Sequence, residues 1–126
     1  MILSAEPRRP TIFVVEDDAA VRRSLEFVLE LEGFLVVSFP SGGAALGHRG
    51  RQGCDCLVVD LRLPDCDGLN LIELLQARSP TPAILITTCP KPAERRRAQA
   101  MDVVLVEKPL LGNRFVNELK RLAGNH

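Results

Sequence analysis

Short apolar runs alternate with stretches of helical period along the chain. Residues 11–15 (Thr-Ile-Phe-Val-Val), 34–39, 54–59, 83–87 and 103–106 read as five strands. The run Ala83-Ile84-Leu85-Ile86-Thr87 lacks polar alternation, as a strand covered on both faces does. Between the strands, Val21, Leu25, Val28 and Leu29 follow the i, i+4, i+7, i+8 rule behind Asp18, a candidate N-cap, and Gly33 ends that helix. Pro40-Ser41-Gly42-Gly43 turns the chain into a short helix over 44–49, and Gly50 and Gly53 punctuate the approach to the third strand. A third helix spans 68–78 with Leu69, Ile72 and Leu75 inward, stopped by Pro80 and Pro82. Residues 92–101 form a weakly amphipathic fourth helix. Leu111, Phe115, Leu119 and Leu122 mark a fifth that ends near Gly124.

Five strands alternating with five helices predict an α/β fold: a five-stranded parallel sheet with right-handed crossovers and helices on both faces, the (βα)5 flavodoxin-like arrangement. Such sheets bind ligands beyond the carboxyl ends of their strands. Glu16-Asp17, Asp60, Thr87 and Glu107-Lys108 stand at the ends of strands one, three, four and five. Asp60 is held by a buried strand yet reaches solvent. If strands one and three are neighbours, three carboxylates converge and repel one another unless a divalent cation sits among them.

Composition narrows the class. At 126 residues the chain is one domain, with 46% hydrophobic and 25% charged residues, as in a soluble globular protein. Net charge is zero, so no global field points to nucleic acid or membrane. Residues 1–10 lack the apolar core of a signal peptide and read as a flexible leader to a domain over 11–124. The expected location is cytoplasmic. Cys54-Asp55-Cys56 lacks zinc-site spacing. Two apart on a strand, Cys54 and Cys56 share one face as small core residues. Cys66 and Cys89 lie in loops flanking the acids, where oxidation is a minor alternative role.

Val14-Val15-Glu16-Asp17-Asp18, Asp60 with Pro64 and Asp67-Gly68 behind it, Ile86-Thr87 and Lys108-Pro109 together resemble the receiver domain of two-component response regulators. The resemblance covers nearly the whole chain and looks closest to receivers of the nitrogen-fixation and transcription-activating type. It implies that Asp60 accepts a phosphoryl group from a histidine kinase or histidine phosphotransfer protein. Asp17 and Asp60 would ligate Mg²⁺ directly, Glu16 mainly through water, and the carbonyl of Arg62 would complete the protein's share. Lys108 would pair with Asp60, and later with the phosphoryl oxygens. In the family the bond to Pro109 is cis and aims this lysine. Thr87 would donate its hydroxyl to a phosphoryl oxygen after an inward movement of the loop that includes Thr88. The product is a phosphoacceptor module and not an enzyme in the turnover sense.

Residue by residue, plainer roles compete. Asp18 and Asp67 read mainly as helix caps, Asp65 as a solvated loop acid, and Arg95-Arg96-Arg97 as a solvated helix face with no aromatics interleaved for nucleic acid. The chain also departs from the family pattern. Leu105 stands at the usually aromatic switch position, and Thr88 replaces the small residue after the switch threonine. Ala100-Met101-Asp102 replaces a helix-ending glycine, and the loop after Thr87 carries Pro90 and Pro92. These changes predict a displaced or shortened fourth helix and an apolar strip at Val103, Val104 and Leu105. A homodimer through the fourth helix, fifth strand and fifth helix would cover that strip.

The leading reading is a single-domain regulator that signals by protein contacts, with no direct DNA binding and no membrane span. The alternative is a degenerate receiver acting as a phosphorylation-independent scaffold. An aspartyl-nucleophile phosphohydrolase is disfavoured, because Arg62 stands where such enzymes carry a second acid.

Overall fold

In a computed structural model the chain is described over residues 8–48 and 53–124. Most of the leader, the expected end of the second helix at 49 and Gly50 lie outside the described residues. The elements alternate strictly: β1 (Thr11–Val15), α1 (Ala19–Leu31), β2 (Leu35–Phe39), α2 (Gly42–Leu46), β3 (Cys56–Asp60), α3 (Gly68–Arg78), β4 (Ala83–Thr87), α4 (Pro92–Ala100), β5 (Val104–Glu107) and α5 (Arg114–Leu122). All strands pair in parallel in the order β2-β1-β3-β4-β5. Strand order reverses at β1, so a crevice opens beyond the ends of β1 and β3.

Alternation along each strand divides the core into two layers. Ile12, Val14, Cys56, Val58, Ile84, Ile86 and Val106 face α1 and α5, packing on Leu25, Leu29, Phe115 and Leu119. Val15, Leu57, Val59, Ala83 and Leu85 face α2, α3 and α4, packing on Ala45, Leu69, Ile72 and Ala98. Both faces of β3 and β4 are covered, and every residue of these strands is buried. The continuous apolar runs of the sequence have this cause.

Local chemistry sets the helix starts. Asp18 accepts N–H bonds from Ala20 and Val21 at 2.9 and 3.1 Å, and Asp67 from Leu69 and Asn70 at 2.8 and 3.1 Å. Asp65 is no free loop acid. It receives the N–H groups of Gly42 and Gly43 at 3.0 and 2.8 Å, and these bonds hold its carboxyl below the usual range. It thereby starts α2 at Gly42 instead of residue 44, together with Ser41.

Other expectations shift for identifiable reasons. β3 begins at Cys56, because Asp55 turns aside to accept the Thr11 N–H at 2.8 Å and pair with Arg8. Cys54 therefore lies before the strand and packs against the α2–α3–α4 layer, opposite Cys56. Residues 8–10 of the predicted leader are described. Arg8 and Arg9 tie them to Asp55 and to the carbonyls of Gly33 and Phe34. Leu111 is 76% exposed and precedes α5, since Gly112 in the left-handed region (φ +71°) interrupts the helical run.

The fourth helix forms its nine residues with Pro92 at its first position, where proline fits. Asp102 adopts φ +58° close to where the family pattern would carry a glycine. The expected apolar strip is reduced, with Val103 buried and Val104 and Leu105 half-buried. Among the described residues, the exposed large apolar side chains are Phe27, Val28, Leu31, Leu35, Leu74 and Leu111, none on α4 or β5.

Gly68 is where backbone meets backbone. A Cβ here would lie 2.3 Å from the Asp60 carbonyl oxygen and 2.8 Å from the Leu61 Cα. α3 can therefore press against the end of β3 only with glycine at its first residue. Gly68→Ala is expected to cost roughly 2–3 kcal/mol by forced displacement. The check is the urea midpoint, and an unchanged midpoint would show that the two segments are not locked together.

Candidate functional site

Three parallel strands deliver the site. β1 ends at Val15, so Glu16 and Asp17 come directly after it. β3 ends on Asp60, in register with Ile86 of β4, and β5 leads through Glu107 to Lys108. One carboxylate oxygen each from Glu16, Asp17 and Asp60 lies within 4.8 Å of the others. Glu16 is fully buried, Asp60 is 5% exposed, and Asp17 is open to solvent. The convergence expected from the sequence is present.

The Lys108 Nζ donates to Asp60 Oδ2 and to Glu16 Oε1, both at 2.8 Å. The bond to Asp60 was expected, and the equal bond to Glu16 was not. The other Glu16 oxygen accepts the Asp18 N–H at 3.2 Å, and Asp60 Oδ1 accepts the Arg62 N–H at 3.1 Å. Burial pushes the Glu16 carboxyl up to about 7, with Asp60 adding to the rise and Lys108 opposing it. Burial likewise disfavours the Lys108 charge, but its bonds to Asp60 and Glu16 outweigh that and raise it. Lys108 thus stays charged and neutralises part of a crowded acidic pocket.

The remaining expected residues border this centre. Thr87 is buried at the end of β4, its hydroxyl donating to the Thr88 carbonyl at 3.3 Å. Its own carbonyl accepts the Lys108 N–H at 2.8 Å, joining the β4 and β5 ends. The Lys108–Pro109 bond is cis. Thr88 and Lys108 form one end of a mostly apolar groove of about 560 Å³ between α1 and α5, with Val21, Leu25, Val28 and Phe115 among its walls. Leu105 is half-buried on β5 and packs against the layer that includes Leu85 and Ala98.

Two residues that brace the surroundings of the site, without belonging to its acid–lysine centre, escaped the sequence reading. Arg22 of α1 donates to the carbonyls of Glu16 and Asp17 at 2.7 and 3.3 Å and so shapes the turn that carries both acids. No motif marks it. Glu94 takes the Arg62 guanidinium in a two-pronged pair at 3.0 and 3.1 Å, and its Oε1 also accepts the Lys91 N–H at 2.8 Å. A glutamate two residues after Pro92, at the third helix position, was the available signal.

The arginine run is a solvated face as expected, with Arg95 and Arg96 exposed, but two of its members also make surface pairs that the sequence did not suggest. Arg95 pairs with Glu107, and Arg97 reaches Asp67, Asn70 and Glu73. The thiols of Cys54 and Cys56 are pushed up to about 12 by burial, and that of Cys66 is raised for the same reason. Cys89 is exposed.

Comparison with known proteins agrees with this geometry. The response regulator receiver domain family matches residues 12–120. The chain is 36% identical over 108 residues to the transcriptional regulatory protein FixJ of Bradyrhizobium diazoefficiens, covering 82% of this chain and 52% of that protein. It is 32% identical over 116 residues to the C4-dicarboxylate transport transcriptional regulatory protein DctD of Rhizobium meliloti, covering 89% of this chain and 25% of that one. The chain thus spans about half, or a quarter, of the length of these curated relatives. Among solved structures, the non-phosphorylated HemR receiver domain of Leptospira biflexa superposes with a TM-score of 0.83 at 27% identity, covering 92% and 95% of the two chains. A CheY-like response regulator receiver domain protein of Methanospirillum hungatei superposes with a TM-score of 0.86 at 22% identity, covering 94% and 96%. With five parallel strands and an acid–lysine centre at their ends, the chain belongs to the response regulator receiver domain family.

Proposed function

We propose that this chain accepts a phosphoryl group on Asp60 from a phosphohistidine, held by a sensor histidine kinase or a histidine phosphotransfer protein. The observation that carries this reading is the Asp60 carboxylate in hydrogen-bond contact with Lys108 and beside Glu16 and Asp17. An Asp60 oxygen attacks phosphorus, the phosphorus–nitrogen bond breaks, and the electron pair leaves with the imidazole. Lys108 is placed to follow the developing charge from the carboxylate to the phosphoryl oxygens. Arg22 and the Asp18 N–H keep the flanking acids in position.

The donor set fits Mg²⁺, a hard cation that takes a few carboxylates and keeps several waters. Asp17 and Asp60 would hold it directly, with Glu16 through water and the Arg62 carbonyl. When bound, it screens the repulsion between carboxylate and phosphate and orients the oxygens. The apolar groove beside Lys108 offers an apolar helical donor a seat next to Asp60. No described helix is long and apolar enough to cross a membrane.

Output runs through protein contacts in this reading, and the chain does not turn over substrate as an enzyme. Direct DNA contact by α4 is disfavoured, since Arg95 and Arg97 are committed to acids. A homodimer across α4, β5 and α5 would be largely polar, and light scattering with and without a phosphoryl mimic tests it. The alternative, a phosphorylation-independent scaffold, draws on Leu105 and Thr88 at positions that depart from the family pattern.

Incubation with Mg²⁺ and a small phosphodonor is expected to add one phosphoryl mass, abolished by Asp60→Asn and by chelation. No shift with any donor or kinase would favour the scaffold, and continuous phosphate release would favour a hydrolase. A second expectation concerns pH. Folded Glu16 holds its proton more tightly than the unfolded chain, so its stabilising contribution is complete below about pH 4.5. That contribution is lost as pH rises through about 7. In EDTA, the melting temperature of the wild type should fall across this window relative to Glu16→Gln. Mg²⁺ should restore it at the upper end.

A further inference from the structure

α4 is held by charge more than by apolar packing. Ala98 is its only buried residue, and its other side-chain ties are mostly ion pairs: Arg97 to Asp67 and Glu73 of the α3 region, with a hydrogen bond to Asn70, Arg95 to Glu107, and Glu94 to Arg62. The last of these differs from the rest. Arg62 belongs to the loop after Asp60, and its backbone N–H donates to the Asp60 carboxylate. Its guanidinium spans to the first turn of α4, gripping both Glu94 oxygens and, at 3.3 Å, the Cys89 carbonyl. Cys89 sits at φ +47°, a conformation disfavoured for a residue with a Cβ. One residue therefore connects the acceptor aspartate, through its backbone N–H, with the strained β4–α4 loop and the start of α4, through its guanidinium.

We infer that the Arg62–Glu94 clasp holds α4 in its resting position, and that a phosphoryl group on Asp60 draws the Arg62 guanidinium away and frees α4. This rests on the phosphoacceptor reading of Asp60. The two-pronged geometry is directional enough to place a helix. The pair is also exposed, 47% for the Arg62 side chain and 19% for Glu94, and exposed ion pairs contribute little net stability. A phosphoryl group bringing close to two negative charges to the neighbouring site is a stronger partner for a planar guanidinium than one carboxylate. With Leu105 in β5 there is no aromatic hydroxyl or ring to report the change. Arg62 provides a different connection to the same helix.

The test is amide hydrogen exchange over residues 89–98, with the phosphoryl mass on Asp60 measured in the same samples. In the wild type, Mg²⁺ and an acyl phosphate donor should accelerate exchange in this segment severalfold. Glu94→Gln keeps an acceptor for the Lys91 N–H but loses the ion pair. It should exchange at the phosphorylated rate already at rest and respond little to phosphorylation, while still gaining the phosphoryl mass. Arg97→Gln loosens α4 without touching Arg62 and should retain the phosphoryl-dependent step. A wild type that gains the mass with unchanged exchange overturns the clasp alone, as does a Glu94→Gln response equal to that of the wild type. Loss of the step in Arg97→Gln would also overturn it. Absence of the mass shift in the wild type overturns the phosphoacceptor reading and the clasp with it.

Discussion

One ammonium group shared between two buried carboxylates organises the working end of this molecule. Lys108 reaches Glu16 across 92 residues of sequence and Asp60 across 48. Crowding two buried carboxyl groups and an ammonium together is expensive, and the cost is tolerable only because each carboxyl oxygen of Glu16 and Asp60 finds a donor. The Asp18 and Arg62 amides supply the remaining bonds, and among the described residues no buried side-chain nitrogen or oxygen lacks one. The ends of β1, β3 and β5 must therefore arrive in register, or a charge is left stranded. Gly68 and the carbonyl grip of Arg22 serve that same alignment from the α3 and α1 sides.

The molecule is uneven as a result. β3 and β4 are covered on both faces by two apolar layers, and Asp60 stands at the end of this rigid platform. α4 lies at the other extreme, with one buried residue and a set of exposed ion pairs. Segments with few apolar contacts open at lower free energy than the core does, and a signalling element has to be drawn from them. A charge change at Asp60 would act on the rigid part through its oxygens, and on the loose part through the loop that carries Arg62.

Much of this was readable from the chain. The five strands and five helices arise from apolar period, and β1, α3 and β4 fall on the expected bounds, because glycines, prolines and capping aspartates mark their ends. The acid–lysine set was also foreseeable, since each member closes an apolar run. What failed locally failed for want of distant partners. Asp65 is exposed as expected, but its bonds to the start of α2 were invisible locally, and Cys54 changed face because Asp55 bonds Thr11 from 44 residues away. The pairs of Arg95 and Arg97 were missed because their acids lie on β5 and on α3 and its cap.

By itself, the sequence determined the class of fold, the family and the chemical character of the centre. Those depend on residue type and on spacing along the chain. Only the tertiary structure decided how charge is shared there. The equal bonds from Lys108 to Glu16 and Asp60, the Arg22 hold on the acidic turn and the Arg62–Glu94 clasp join residues that no local pattern connects. Electrostatic partnership depends on distance in space and on exclusion of water, and both come into being only when the sheet closes over its helices.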